Sequence, residues 1–144
     1  MFASYDKSAY GVTADGKLAW SYPTGQGIRS DMAYVAGLSI FFSGDQTLYA
    51  VQKGGVLAWK AFLGSPIGAP AITFDGALVT AEASFVKPVV LALDAAGNSL
   101  WTAPVATTFV AQPAGAALAA DGSIIVGFGS ALYAFGPLVP RLDS

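Results

Sequence analysis

The chain has 144 residues, of which 54% are hydrophobic and 11% are charged, and its formal net charge is −2. Soluble domains carry roughly 25% charged residues, so this low share indicates either an unusually large exposed apolar area or, the reading we favour, a surface largely buried against something else. The lack of a basic footprint argues against nucleic acid and anionic membrane surfaces as partners. The absence of cysteine and histidine removes thiolate and imidazole chemistry, and with them most metal sites and most familiar catalytic groups.

Short apolar runs separated by turn signals follow one another along the chain. Three dipeptides lie between two such runs, in the order Ala36-Gly37, Asp75-Gly76 and Asp121-Gly122. They predict β-hairpins, because glycine tolerates the positive φ that primed turns require. Helical periodicity is not sustained anywhere, so the predicted fold class is all-β. No run reaches the roughly 18 apolar residues of a membrane helix, and the first seven residues lack the features of a signal peptide.

Three tryptophans mark an internal repeat. Trp20, Trp59 and Trp101 are 39 and 42 residues apart, close to the roughly 40–45 residues of one four-stranded propeller blade. Each follows a glycine by four residues, namely Gly16, Gly55 and Gly97.

The repeat extends upstream of the tryptophans. A shift of 39 residues places Phe2 on Phe41, Ser4 on Ser43, Asp6 on Asp45, Tyr10 on Tyr49 and Val12 on Val51. A third copy covers 91–101, and a fourth begins at 132 but ends before any tryptophan. The sequence therefore predicts two complete repeats between two incomplete ones.

The pattern Leu/Tyr-Ala-x-Asp followed by Gly and Trp is cleanest at 91–94 with Gly97 and Trp101. It resembles the tryptophan-docked propeller repeats of the quinoprotein-like type, found in pyrroloquinoline quinone dehydrogenases and in the bacterial outer-membrane assembly propeller lipoprotein. The resemblance covers residues 1–136 and implies a partial β-propeller of four-stranded antiparallel blades. In that family the tryptophan packs between adjacent blades and the glycine turn joins the third strand to the fourth. The structural docking residues it implies are Trp20, Trp59, Trp101, Gly16, Gly55, Gly97, Ala92 and Asp94.

The resemblance also implies the domain division and the strands. The units are a partial blade at 1–22, complete blades at 30–62 and 69–103, a partial blade at 113–136, and a tail or expression remnant at 137–144. Innermost strands are expected near 31–35, 70–74 and 114–119, and second strands near 38–43, 77–83 and 123–128. Third strands are expected near 47–52, 89–94 and 131–135, and fourth strands near 17–22, 56–62 and 98–103. The docking alanine is replaced by Gly11 and the aspartate by Thr13 and Gln52, so docking in the first two units is expected to be looser.

Candidate chemistry is sparse. Quinone dehydrogenases of this fold use an acidic catalytic residue, a calcium site and often a cysteine pair, and none of these has a counterpart here. Glu82 is the sole glutamate and has no second carboxylate near it in sequence. The aspartates at 15, 75 and 121 each precede a glycine, where Asp is favoured because its side chain caps the turn. We therefore expect no catalytic residue, no cofactor and no metal site.

A recognition surface, if present, is expected in the loops that lead into the innermost strands, because propellers present ligands at the rim of the central channel. Candidates are Arg29, Ser30 and Asp31 in the first complete blade and Gln112 in the last unit, whereas 65–68 in the second complete blade is nearly featureless. This unevenness argues against a ring of polar ligands.

The leading functional hypothesis is a non-catalytic propeller segment for protein interaction or scaffolding, whose partner is another protein or a second copy that completes the propeller. The alternatives are a fragment or subunit of a quinone-dependent dehydrogenase, and a propeller that senses a small ligand or glycan. Resemblance places the protein in the bacterial periplasm or cell envelope.

Overall fold

The structure is a computed structural model that describes residues 1–66, 70–83, 88–105 and 113–136. These residues form fifteen strands arranged in four antiparallel sheets, which we call sheets I to IV in chain order. The all-β prediction is therefore confirmed.

Sheets I and II come from the first 62 residues. Sheet I has three strands, β1 (Phe2–Ala3), β2 (Ser8–Val12) and β3 (Leu18–Pro23). Sheet II has four strands, β4 (Ala33–Val35), β5 (Leu38–Ser43), β6 (Thr47–Gln52) and β7 (Val56–Phe62). In both sheets every strand pairs with its neighbour in sequence, as expected for strands joined by short turns.

Sheets III and IV repeat this meander. Sheet III contains β8 (Ser65–Pro66), β9 (Ala71–Ile72), β10 (Leu78–Ala83), β11 (Val89–Leu93) and β12 (Ser99–Pro104). Sheet IV contains β13 (Pro113–Leu118), β14 (Ile124–Phe128) and β15 (Ala131–Phe135). The expected strands begin and end within two residues of the observed ones. In the described residues the first and last sheets have three strands each.

Sheet III contains one short strand that the repeat did not lead us to expect. The two residues of β8 pair with Glu82 and Ala83 at the end of β10. Since β9 is only two residues long, it leaves that part of the β10 edge free for β8 to pair.

One expectation from the sequence, the type of turn, needs correction. At Ala36-Gly37 both residues have positive φ, 50° and 82°, as a primed turn requires. The hairpins predicted at Asp75-Gly76 and Asp121-Gly122 are confirmed by antiparallel pairing on either side. Only the glycines of these two turns, Gly76 and Gly122, have positive φ, so the primed turn type expected there is wrong. The Gly76 amide donates to the Thr73 carbonyl and the Thr73 amide to the Ala77 carbonyl, which is a three-residue turn ending in a left-handed glycine.

Apolar side chains pack between successive sheets in three clusters. The cluster between sheets I and II contains Ala9, Ile28, Phe41, Tyr49 and Val51. The cluster between II and III contains Leu38, Ile40, Phe42, Leu48, Ala50, Leu78, Leu91 and Leu93. The cluster between III and IV contains Val79, Ala81, Val90, Ala92, Val105, Ile124, Val126 and Phe128. Sheets II and III therefore bury both of their faces. This stacking accounts for the high share of hydrophobic residues, 54% of the chain. Among the described residues no helix is long and apolar enough to cross a membrane.

Candidate functional site

The junction between sheets II and III is held by Trp59 on β7. Its backbone pairs with Ala50 in its own sheet, and its indole is half-buried against the next one. The indole Nε1 donates a hydrogen bond of 2.8 Å to the carbonyl oxygen of Ala95, in the turn between β11 and β12. One side chain thus joins two sheets by both apolar contact and a hydrogen bond.

Gly97 lies in the same turn and meets the indole face. It has a φ of +85°, which glycine adopts without steric cost, and its amide donates to the Asp94 carbonyl. A Cβ built on Gly97 would lie 2.8 Å from Trp59 Cδ2, closer than real Cβ contacts allow. The position therefore requires glycine for two reasons, the turn and the approach of the tryptophan.

Trp20 meets the next sheet differently. A Cβ on Gly55 would lie 3.1 Å from the Cβ of Trp20, so the tryptophan lies beside the equivalent turn of sheet II. Its indole, however, folds over its own sheet, where a Cβ on Gly11 would lie 2.1 Å from Nε1. The glycine that replaces the docking alanine provides this space. An open groove of about 470 Å³ remains beside the indole, with Tyr34 and Lys53 among its lining residues.

Trp101 on β12 is half-buried against the cluster between sheets III and IV and pairs with Ala92. Its Nε1 is buried and finds no hydrogen-bond acceptor among the described residues. Trp59 and Trp101 therefore share position and packing but differ in this one polar contact.

Asp94 holds the turn that receives Trp59. Its Oδ1 accepts from the amides of Ala96 and Asn98 at 2.9 Å, and its Oδ2 accepts from Asn98 Nδ2 at 2.9 Å. These hydrogen bonds, the one from the Asn98 side chain foremost, hold the pKa of Asp94 below its usual value. In sheet I the Thr13 hydroxyl accepts from the Lys17 amide at 3.1 Å, so a hydroxyl replaces the carboxylate. Gly16 in that turn also has positive φ, but its Cβ position is open.

A repeated tyrosine–aspartate pair was missed by the sequence analysis. Tyr10 donates its hydroxyl to Asp6 Oδ2 at 2.7 Å, and Tyr49 donates to Asp45 Oδ2 at 2.8 Å. Asp45 Oδ2 also accepts from the Gly25 amide at 2.8 Å, which ties sheet II to the connection from sheet I. Burial, with the Asp45 carboxylate beside it, raises the pKa of Tyr49 to about 12. The signal was present, because the 39-residue shift aligns both members of the pair.

The rim candidates do not converge. Ser30 accepts a 2.8 Å hydrogen bond from the Phe42 amide, so its hydroxyl extends the pairing at the edge of β5. Arg29 is exposed with its guanidinium carbon 5.9 Å from the centre of the Tyr5 ring, in cation–π range, and Asp31 is exposed. Gln112 lies outside the described residues.

Acidic side chains do not cluster. Glu82 on β10 is partly exposed, and burial raises its pKa. Asp15 and Asp75 accept hydrogen bonds from Thr13 and Thr73 in their own turns, and Asp121 accepts from the Ser123 amide at 2.9 Å. In the ranges that the structure describes, no group of three acidic residues is placed to hold a metal ion.

Comparisons with known proteins agree with this architecture. A family model described as outer membrane protein assembly factor BamB matches residues 5–138. The crystal structure of BamB from Moraxella catarrhalis has a TM-score of 0.73 at 19% identity, covering 97% of this chain and 44% of that chain. A protein of unknown function from Bacteroides caccae has a TM-score of 0.70 at 17% identity, covering 94% and 56%. A europium-containing methanol dehydrogenase has a TM-score of 0.63 at 19% identity, covering 74% and 23%. No curated protein matches the chain.

At these identities the solved structures show the fold, which is the predicted partial β-propeller. The chain spans less than two thirds of each of them, 44%, 56% and 23% of their lengths.

Proposed function

The chain belongs to the outer membrane protein assembly factor BamB family, whose model matches residues 5–138, and we propose that it is a non-catalytic propeller segment for protein interaction. The observation that carries the proposal is that polar side chains of the chain form hydrogen bonds with its own backbone. Asp94, Asp45 and Ser30 all bind backbone groups of the turns and strand edges they lie beside. Such side chains stabilise a scaffold, and the exposed surface remains available for a partner.

The docking role of the tryptophans is part of this proposal. The hydrogen bond from Trp59 to Ala95 and the contact of the indole with Gly97 support it at one junction. We assign Trp20 and Trp101 the same role, with Gly55 supporting the first and the cluster between sheets III and IV supporting the second. The blade division at 1–22, 30–62, 69–103 and 113–136 follows from the same assignment.

The proposed recognition surface lies on the edge of the sheets that carries Tyr5, Arg29 and Asp31. Tyr5 is 74% exposed, and the exposed Arg29 lies with its guanidinium carbon 5.9 Å from the centre of the Tyr5 ring. Asp31, two residues after Arg29, is exposed as well. An exposed aromatic ring next to an arginine is typical of the residues that anchor protein interfaces. Family membership suggests that the partner is a component of outer membrane protein assembly in the bacterial envelope.

Site-specific photo-crosslinking tests this surface. A photoreactive residue replaces Arg29 in one variant and Lys17 in the control, with the chain expressed in a bacterial periplasm. Lys17 is exposed but lies in the β2–β3 turn, on the opposite sheet edge from Tyr5 in the β1–β2 turn. We expect an adduct of defined mass with a second protein from position 29 and none from position 17. Equal adducts at both positions, or none, would contradict the proposal, and an adduct of twice the chain mass reports self-association instead.

The likeness to a methanol dehydrogenase makes a quinone cofactor the alternative to test directly. The thermal unfolding midpoint is measured with pyrroloquinoline quinone and calcium at increasing concentrations. A ligand that binds only the native state raises this midpoint, because it stabilises by mass action. We expect no shift, and a saturable rise would favour the dehydrogenase alternative.

A further inference from the structure

The outer strand of each of the first three sheets has a free edge. These strands are β3, β7 and β12, and within the described residues each pairs with a single neighbouring strand. Sheet II packs against a sheet on either face, so the free edge of β7 does not depend on where the sequence begins or ends. A free edge presents N–H and C=O groups that can pair with another strand.

Hydrogen bonds at the ends of these strands show which backbone groups point to the free edge. In all three sheets the amide that follows the outer strand donates to the carbonyl that precedes its neighbouring strand, as in Thr24 to Lys7, Leu63 to Gln46 and Val105 to Pro88. Backbone groups of successive residues point to opposite sides of a strand. The backbone nitrogen of the last residue of each outer strand therefore points to the free edge.

That last residue is proline in two of the three strands. Pro23, Phe62 and Pro104 occupy equivalent positions, because they pair with the first residues of β2, β6 and β11. Proline has no N–H, so the edges of β3 and β12 lack one donor, which hinders pairing with a further strand. Phe62 retains its donor, and its side chain is 72% exposed. The edge of β7, which at seven residues is one longer than β3 or β12, is therefore open to pairing.

Lys60 gives the β7 edge a positive charge. It precedes Phe62 by two residues, so its N–H points to the same edge and its side chain to the same face. The equivalent positions in β3 and β12 are the uncharged Ser21 and Thr102. Lys60 is exposed and forms no ion pair within the part of the chain that the structure describes.

This charge favours one kind of strand over another. A strand with an acidic side chain opposite Lys60 would gain a favourable cross-strand pair. A second copy of β7, paired antiparallel about the same residue, would place two lysines opposite each other, which is destabilising. The β7 edge therefore suits an acidic strand better than a second copy of this chain.

We propose that the free edge of β7 binds an extended segment of another protein as an added antiparallel strand, with an acidic residue opposite Lys60 and an apolar residue opposite Phe62. Main-chain hydrogen bonds supply the affinity of such an added strand, and alternate side chains select its sequence. Antiparallel strands run in opposite directions, so the segment reads apolar-x-acidic from its N-terminus. The β7 edge uses none of the residues of the recognition surface proposed above, and this inference does not depend on that surface.

Nuclear magnetic resonance of the isotopically labelled chain tests the proposal with the synthetic peptide acetyl-Thr-Phe-Thr-Glu-Thr-Val-Thr-amide. We expect saturable shifts of the amide resonances of β7 and slower solvent exchange of the Lys60 and Phe62 amides, which gain acceptors. The amides of β3 and β12 should not respond. The same peptide with lysine in place of glutamate should bind about tenfold more weakly, because it places a like charge opposite Lys60.

Substitutions in β7 separate the backbone donor from the side chains. Phe62→Pro gives β7 the proline of the other two edges and should weaken binding at least about tenfold, since it removes one hydrogen bond and the ring. The internal pairing remains, because the Phe62 N–H points away from β6. Phe62→Val is the matched control, which keeps the donor and an apolar side chain and should change the affinity less than about threefold. Lys60→Glu should reverse the preference between the two peptides.

A transfer of the site gives a second test. Thr102→Lys combined with Pro104→Phe reproduces the β7 edge on β12, so the amides of β12 should then respond to the peptide. Circular dichroism verifies that each variant is folded.

Several results would overturn the proposal. These are the absence of shifts at millimolar peptide, shifts outside β7, and equal binding by the Phe62→Pro and Phe62→Val variants. Equal affinity for the two peptides would overturn the acidic preference. Protection of the Lys60 and Phe62 amides without peptide, together with twice the chain mass of 14.6 kDa, would show a second copy on the β7 edge and would also overturn it.

Discussion

The approach of Trp59 to Gly97 predicts that two glycines with the same backbone geometry respond differently to substitution. Gly97 and Gly16 lie at the same position of equivalent turns, with φ of +85° and +81°. Both amides donate to the carbonyl three residues earlier, at 3.0 Å. They differ in their surroundings, because a Cβ on Gly16 would meet nothing within 4 Å, whereas one on Gly97 would lie 2.8 Å from the Trp59 indole.

Gly16→Ala therefore measures the cost of the left-handed conformation alone, about 1–2 kcal/mol of unfolding free energy. Gly97→Ala carries the same cost and also forces the indole away from the turn, which adds about 1–3 kcal/mol as overpacking does in other cores. Urea titration followed by circular dichroism gives both values, provided the transitions are two-state with equal slopes. We expect Gly97→Ala to be the more destabilising by at least about 1 kcal/mol.

A double-mutant cycle separates the contact from the turn. In a Trp59→Ala background the indole is absent, so Gly97→Ala should cost only the conformational term of about 1–2 kcal/mol. Equal costs for Gly16→Ala and Gly97→Ala in the parent chain would refute the reasoning, because the indole would then not pack on the glycine. An unchanged cost in the Trp59→Ala background would refute it as well.

Three further predictions concern the aromatic side chains. Trp59→Phe removes a hydrogen bond, whereas the indole N–H of Trp101 has no acceptor among the described residues. Trp59→Phe should therefore lower the free energy of unfolding by about 1 kcal/mol more than Trp101→Phe, as urea titration would show. Trp59→Ala should cost about 3–5 kcal/mol, and Trp20→Ala clearly less, because the indole of Trp20 lies over its own sheet; equal losses would contradict this. Because the pKa of Tyr49 is raised in the folded chain, this tyrosine loses its proton at lower pH in the unfolded chain. Its contribution to the free energy of unfolding is therefore fully present below pH 10 and is lost between pH 10 and about 12. Tyr49→Phe should flatten this fall in urea midpoints, and a parallel decline in parent and variant would show that Tyr49 and Asp45 do not cause it.

The sequence by itself determined the all-β class and the repeat. Short apolar runs and the glycines in turns are local signals, the 39-residue shift made each repeat a check on the next, and the resemblance to propeller repeats implied the strand positions. Strands such as Leu38–Ser43 and Val56–Phe62 therefore lie where they were predicted. The same shift contained the pair of Tyr49 with Asp45, although its role became evident only from the hydrogen bond.

The tertiary structure alone decided how the repeats meet. Trp59 and Ala95 are 36 residues apart in sequence, and no local pattern states which tryptophan finds an acceptor. Trp20 folds over Gly11 on the adjacent strand of its own sheet because a missing methyl group leaves room there, and the replacement of alanine by glycine did not by itself reveal that direction. Exposure is equally non-local. Leu132 pairs with Gly127 as Val90 pairs with Ala81, yet Leu132 is 79% exposed, whereas Val90 is 0% exposed because it packs in the cluster between sheets III and IV. In a protein of stacked sheets, the burial of a side chain depends on the sheet that packs against it, whereas the sequence pattern describes only the sheet that contains it.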